Sequence, residues 1–311
     1  MSENKVSSTL IRGIVPVVPT PFTTEEELDL ESLRGLVEFA CQTGVPAICL
    51  PAYGSEFYKL TDAERFKLVE AAVKAAAGRV KVIAQSNHPS ARIATEIARR
   101  NEGLGADLIS FAIPRQFSLA EDDVMRYCES IVKSVSVSVL IQDFNPGGVT
   151  VGAAFAARLQ ASFGNFAYLK LEEPLMGTRV ESIRAATRDR IGVLEAWGGM
   201  YLLELIPNGI CGAMPGLAMC DLFVRVFNLA SSGDMDGAFE IYRSMLPQIV
   251  YAMQNMELFH HMEKRLLQAR GLLRSTVVRE PFLRLEPYDA AHIEKLDRLV
   301  LAELERQGLT G

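Results

Sequence analysis

Eight short apolar runs, each followed by a longer stretch, limit what this chain can fold into. The runs occupy residues 13–19, 47–53, 80–86, 108–114, 137–144, 167–172, 192–197 and 209–214. Each is nearly continuous in apolar, often β-branched residues, the pattern of parallel strands covered on both faces. Between them apolar residues recur at helical spacing, as in Leu30, Leu33, Leu36, Val37 and Ala40. Thr61-Asp62-Ala63-Glu64 has the spacing of a capping box and predicts a helix over 61–77. Residues 91–104 and 119–132 also read as helices. Strand starts fall roughly 20 to 35 residues apart, the length of a βα unit. Eight such units predict an α/β fold, a (β/α)₈ TIM barrel, with a doubly wound open sheet as the alternative. No Gly-x-Gly-x-x-Gly follows the first run, and no Walker A sequence occurs. Beyond Gly216 the strand pattern stops, and helices are predicted over 220–231, 234–253, 257–271 and 289–307. The domain reading is a barrel catalytic domain over residues 11–232 and a helical extension over 233–311.

Composition narrows the function. With 49% hydrophobic residues over 311 positions, disorder and disulfide-stapled scaffolds are excluded. A formal net charge of −6 argues against a nucleic-acid partner, which needs an excess of Lys and Arg. No apolar stretch is long enough to span a bilayer, and Met1 to Leu10 does not read as a signal peptide. Five cysteines (Cys41, Cys49, Cys128, Cys211 and Cys220) are widely spaced and odd in number. They read as reduced thiols of a cytoplasmic protein.

In a barrel, chemistry sits at the C-terminal ends of the strands. Polar residues out of place there are the candidates. In Tyr168-Leu169-Lys170-Leu171-Glu172, alternation puts the leucines on one face and Lys170 with Glu172 on the other. The leucines suit the helix layer, so Lys170 and Glu172 face the barrel interior. Burial lowers an amine pKa, and a neutral amine is a nucleophile suited to forming a Schiff base with a ketone. The competing reading is a plain Lys170–Glu172 ion pair. Asp143 closes the fifth run and shares a face with Val139 and Ile141. It reads as a general acid/base, as a counter-ion for Lys170, or as the start of the turn Asn145-Pro146-Gly147-Gly148. Tyr53-Gly54-Ser55-Glu56 offers backbone N–H groups and a hydroxyl to a carboxylate. His260-His261-Met262-Glu263 lacks a further ligand at helical spacing, so no metal site is expected. Met245, Met253, Met256 and Met262 read as core or interface packing.

Together these segments resemble the dihydrodipicolinate synthase / N-acetylneuraminate lyase family of Schiff-base aldolases and dehydratases. Gly13-Ile14-Val15-Pro16 through Thr20-Pro21-Phe22 is similar to its opening strand. Ala52-Tyr53-Gly54-Ser55-Glu56 with Leu60-Thr61-x-x-Glu64-Arg65 resembles its carboxylate loop and the helix after it. Tyr168-Leu169-Lys170-Leu171-Glu172 lies where that family carries its Schiff-base lysine, and residues 209–216 resemble its glycine-rich eighth strand. The resemblance covers roughly residues 11 to 230. It implies that Lys170 forms an iminium with a 2-oxo acid, with no cofactor, in a homo-oligomer, by resemblance a tetramer.

The chain departs from the family at informative places. Aligned on Pro146, the family's proton-relay tyrosine corresponds to Asp143, and an expected arginine corresponds to Gly148. Tyr53 and Gly54 stand for the paired threonines, and the tyrosine expected near Ile113-Pro114-Arg115 is missing. These differences count against 4-hydroxy-tetrahydrodipicolinate synthase. The Gln-Asp-x-x-Pro form resembles a branch that includes L-2-keto-3-deoxyarabonate dehydratase. Ser55-Glu56, His88 and Trp197 match that branch, although Trp197-Gly198-Gly199-Met200 lacks its acidic residues. The resemblance therefore implies a dehydratase or aldolase of a 2-keto-3-deoxy sugar acid. Lys170 and Asp143 are the expected catalytic residues. Ser55, Gly54 and Thr20 are expected at the substrate carboxylate, and Glu56, His88 and Trp197 on the distal side. A non-catalytic 2-oxo-acid binder is the competing class.

Overall fold

A computed structural model describes residues 10–145 and 148–309. The chain order is β1 (Gly13–Ile14), α1 (Leu30–Gln42), β2 (Ala47–Leu50), α2 (Asp62–Ala76), β3 (Lys81–Gln85) and α3 (Ala91–Gly103). It continues with β4 (Leu108–Ala112), α4 (Glu121–Val132), β5 (Ser138–Phe144), α5 (Ala153–Ser162), β6 (Phe166–Glu172) and α6 (Gly177–Thr187). Then come β7 (Gly192–Glu195), the short α7 (Leu202–Leu205), β8 (Gly212–Ala213) and α8 (Cys220–Ser231). Three helices follow: α9 (Met235–Ala252), α10 (Met256–Ala269) and α11 (Pro287–Arg306). The strands pair in parallel in the order β1-β8-β7-β6-β5-β4-β3-β2. This is a (β/α)₈ TIM barrel.

The ring closes at β1, which is shorter than its apolar run predicts. Pro16 and Pro19 have no N–H to give to a ladder, so only Gly13–Ile14 pairs continuously with β8. Beyond it Val17 bridges to both Cys49 and Gly216. The bonds from Val17 N–H to the Pro215 carbonyl (2.8 Å) and from Cys49 N–H to the Pro16 carbonyl (3.0 Å) join the two neighbours. Gly212 permits the approach: a Cβ there would lie 1.8 Å from the Gly13 carbonyl oxygen. The predicted start of α2 is found as a reciprocal cap. The Thr61 hydroxyl accepts from Glu64 N–H, and the Glu64 carboxylate accepts from Thr61 N–H at 2.8 Å. Such a cap contributes about 1 kcal/mol.

Alternation along the strands sorts two cores. Ile83, Leu108, Leu140, Tyr168 and Leu194 fill the barrel interior. Ile109, Val139, Ile141, Leu169, Leu171 and Val193 face the helix layer. That outer core continues into the last helices through Ile241, Met245, Ile249, Leu266 and Val300. Helix α10 then crosses the barrel mouth. There Phe259 approaches Gly54 so closely that an added Cβ would sit 3.1 Å from its ring. Among the described residues no helix is long and apolar enough to cross a membrane. Residues 1–9, and the Pro146 used to align the fifth strand, lie outside the described residues.

Candidate active site

The interior face of β6 carries Tyr168, Lys170 and Glu172 in succession, because Leu169 and Leu171 are taken by the helix layer. Lys170 Nζ lies 3.5 Å from Glu172 Oε1, and both side chains are almost fully enclosed. Gln142 faces Lys170 across the ladder, and its Nε2 donates to the same carboxylate oxygen. Gln85 Nε2 donates to Gln142 Oε1 at 2.7 Å, which fixes the Gln142 amide with its N–H toward Glu172. Burial raises the Glu172 pKa, while the Lys170 charge and the Gln142 bond act the other way. Cys49 is near enough to feel the Lys170 charge, yet its burial holds the thiol up at about 12. It is therefore an inert packing residue.

Above this floor opens a cavity of about 480 Å³. Its walls are Tyr53, Gly54, Tyr58, Phe144, Trp197, Met253, Met256 and Phe259, with Gln254 and Asn255 also lining it. Phe144 and Trp197 meet edge to face at 5.8 Å. The segment after Trp197 is clamped from two sides. Glu195 accepts the Trp197 N–H at 2.9 Å, and the Tyr242 hydroxyl reaches the Gly199 and Met200 carbonyls at 2.7 and 2.6 Å. Gly198 and Gly199 supply the left-handed turn between, at φ +66° and +83°. Glu195 is wholly buried, which pushes its carboxyl up to about 8.

Of the residues singled out from sequence, the cavity brings together Lys170, Glu172, Tyr53, Gly54 and Trp197. The others lie elsewhere. Asp143 does share a face with Val139 and Ile141, and that face is the outer one. Its carboxylate receives Arg115 Nε and Nη2 at 2.8 and 2.7 Å and the Val151 N–H at 2.7 Å. The Ser55 hydroxyl donates to the Val18 carbonyl at 2.6 Å and accepts from Ala52 N–H at 3.0 Å. Thr20 donates to the Ser55 carbonyl at 2.6 Å. Both hydroxyls join the end of the first run to the loop after β2. Glu56 has a left-handed backbone, φ 58°, that turns it away from the cavity. It pairs instead with the buried Lys264 at 2.5 Å and with Lys59 at 3.2 Å. His88 lines a separate cavity of about 270 Å³ that shares Tyr53 and Tyr58 with the first. Arg115 is neutralised by Asp143.

Sequence reasoning missed Gln142, Phe144, Tyr58 and Phe259 as lining residues. Strand alternation from Leu140 could have found the first two. Met253 and Met256, expected in the core or an interface, line the cavity instead, while Met245 and Met262 are buried. His260 is also buried; it contacts the Tyr58 hydroxyl at 3.0 Å, and burial holds its pKa well below the usual value.

Known proteins agree with this architecture. L-2-keto-3-deoxyarabonate dehydratase of Azospirillum brasilense is 29% identical over 298 residues, covering 93% of this chain and 96% of that protein. A probable 2-dehydro-3-deoxy-D-pentonate aldolase of Escherichia coli K12 is 26% identical over 290 residues, covering 90% and 95%. Among solved structures, Escherichia coli YagE in complex with pyruvate superposes with a TM-score of 0.85 at 24% identity, covering 94% and 99%. Dihydrodipicolinate synthase from Rhodopseudomonas palustris gives 0.86 at 22%, covering 94% and 97%. The family profile matches residues 10–300, and the chain belongs to the dihydrodipicolinate synthetase family.

Proposed function

We propose that this lyase acts on a 2-keto-3-deoxy sugar acid through a Schiff base on Lys170, with dehydration as its reaction. The observation that carries the reading is the placement of Lys170: an amine at the floor of an apolar cavity, beside one buried carboxylate. The adjacent Glu172 carboxylate is placed to take the proton that leaves the attacking amine. Attack on the C2 ketone and loss of water then give an iminium. The Tyr53 and Gly54 N–H groups, at the start of the turn after β2, have no acceptor among the described residues. They suit the substrate carboxylate, since the Ser55 hydroxyl is already engaged. Phe144, Trp197 and the methionines line the remainder of the cavity. The 29% identity to a dehydratase across nearly the full chain supports dehydration over aldol cleavage.

Borohydride reduction with pyruvate tests the imine. Intact mass rises by one reduced pyruvate adduct, and Lys170→Ala abolishes it. No adduct with any 2-oxo acid sinks the Schiff-base reading. A panel of 2-keto-3-deoxy acids separates the outcomes: semialdehyde without pyruvate means dehydratase, pyruvate release means aldolase, and neither means a binder. We propose a homotetramer as the assembly, which sedimentation tests. A reducing, cytoplasmic setting is proposed from the free thiols, four of them buried.

A further inference from the structure

We propose that Glu172 is the proton carrier of this lyase: its carboxylate takes a C3 proton from the Lys170 iminium and returns it to the departing C4 hydroxyl. The proposal rests on the Schiff-base reading above and names the group that completes it.

Three observations point to Glu172. First, it follows Lys170 on the same face of the same strand, with its carboxylate 3.5 Å from Nζ. A group there also reaches atoms one bond from the imine carbon. Second, the carboxylates that end the two adjacent strands are committed elsewhere. Asp143 is held outside the barrel by Arg115 and the Val151 N–H, and Glu195, whose Oε1 accepts from Trp197 N–H, does not line the cavity. The Tyr58 hydroxyl is likewise bonded, to Glu257 and His260. Third, Glu172 is supported as a working group. Gln85 orients Gln142, and Gln142 presents its amide N–H to the carboxylate. A chain of two neutral amides stabilises the ionised acceptor without adding a competing charge. A plain ion pair needs no such chain.

The steps balance. Lys170 adds to the C2 ketone and water leaves, forming the iminium. Glu172 takes a proton from C3; the C–H pair becomes the C2–C3 double bond, and the C2–N pair moves onto nitrogen, giving the neutral enamine. The nitrogen pair then re-forms C=N, the C2–C3 pair shifts to C3–C4, and the C4–O bond breaks. The proton held by Glu172 leaves with that oxygen as water. No oxidant, reductant or metal is consumed.

Pyruvate isolates the first half, because it has no C4 and can only form the enamine and revert. In deuterium oxide its methyl protons exchange wherever C3 is deprotonated, and NMR follows the signal. The full-length protein exchanges the methyl protons and traps pyruvate with borohydride. Glu172→Gln still traps pyruvate on Lys170, showing that the site is folded, while exchange falls by about 10²- to 10⁴-fold. Glu172→Ala regains part of the exchange when formate is added, which keeps the test open if the Gln variant misfolds. Undiminished exchange in Glu172→Gln removes Glu172 from the chemistry and leaves the Schiff base standing. Loss of the adduct in Glu172→Gln, not restored by formate in Glu172→Ala, makes Glu172 a structural partner of the lysine and overturns the proposal. No adduct with the unaltered protein overturns the Schiff-base reading and this assignment together.

Discussion

Glu56→Gln should destabilise the protein while leaving pyruvate trapping in place. Glu56 and Lys264 are each about 1% exposed and 2.5 Å apart. Glu56 also accepts from Lys59 at 3.2 Å and from the Arg279 N–H at 3.1 Å. Lys59 keeps a second partner, Glu257, at 2.5 Å. Among the described residues Lys264 keeps only the Val277 carbonyl at 2.7 Å and the Phe22 ring at 4.5 Å. The substitution therefore strands one buried ammonium, which costs about 3–5 kcal/mol. At about 2.1 cal/mol/K of unfolding entropy per residue, 311 residues convert each kcal/mol into about 1.5 °C, so the melting temperature falls by about 5–8 °C. Thermal unfolding followed by circular dichroism measures it. The double variant Glu56→Gln/Lys264→Met removes the stranded charge and should recover at least half of the loss, since an apolar replacement of a buried pair is often neutral. A Glu56→Gln protein that melts like wild type but has a raised KM for sugar-acid substrates would refute the reasoning and return Glu56 to the substrate.

Two further expectations follow from the same geometry. Glu195 ionises near 8 in the folded protein against an ordinary 4.5, so the folded state favours its protonated form. That contribution is fully present below about 4.5 and is lost as pH rises toward 8. Wild type should thus lose stability between pH 6 and pH 9 more steeply than Glu195→Gln, which cannot ionise; equal melting slopes for the two proteins count against it. Asp143→Asn should lower stability by about 2–3 kcal/mol through the weakened Arg115 fork while pyruvate trapping persists. A folded Asp143→Asn protein that no longer traps pyruvate would place Asp143 in the chemistry.

Period-two alternation was enough to place Lys170 and Glu172, because two leucines between polar residues leave one orientation for β6. The same reasoning applied to β5 sends Val139 and Ile141 outward with Asp143, and Leu140, Gln142 and Phe144 inward. Matching Asp143 to a relay tyrosine counted positions back from Pro146 and ignored the face. Ser55 and Thr20 read as ligands because hydroxyls near a turn bind carboxylates. What they bond instead is backbone 35 to 37 residues away, which spacing does not reveal. Glu56 is misplaced by one left-handed residue, a conformation that sequence seldom announces outside glycine. The wall formed by Met253, Met256 and Phe259 depends on how α10 docks across the barrel. Such a long-range contact leaves no local periodicity to read.

That wall also sets when in synthesis the cavity becomes enclosed. Synthesis runs from the amino terminus, so a nascent chain ending near residue 232 already contains all eight strands and Lys170. It still lacks Met253, Met256 and Phe259, and the ammonium of Lys264 that neutralises Glu56. Lys170 then lacks the α10 wall above it, and Glu56 keeps Lys59 as its remaining cation. Synthesis of α9 and α10 is what supplies that wall, so a chain cut short before α10 lacks the enclosed cavity.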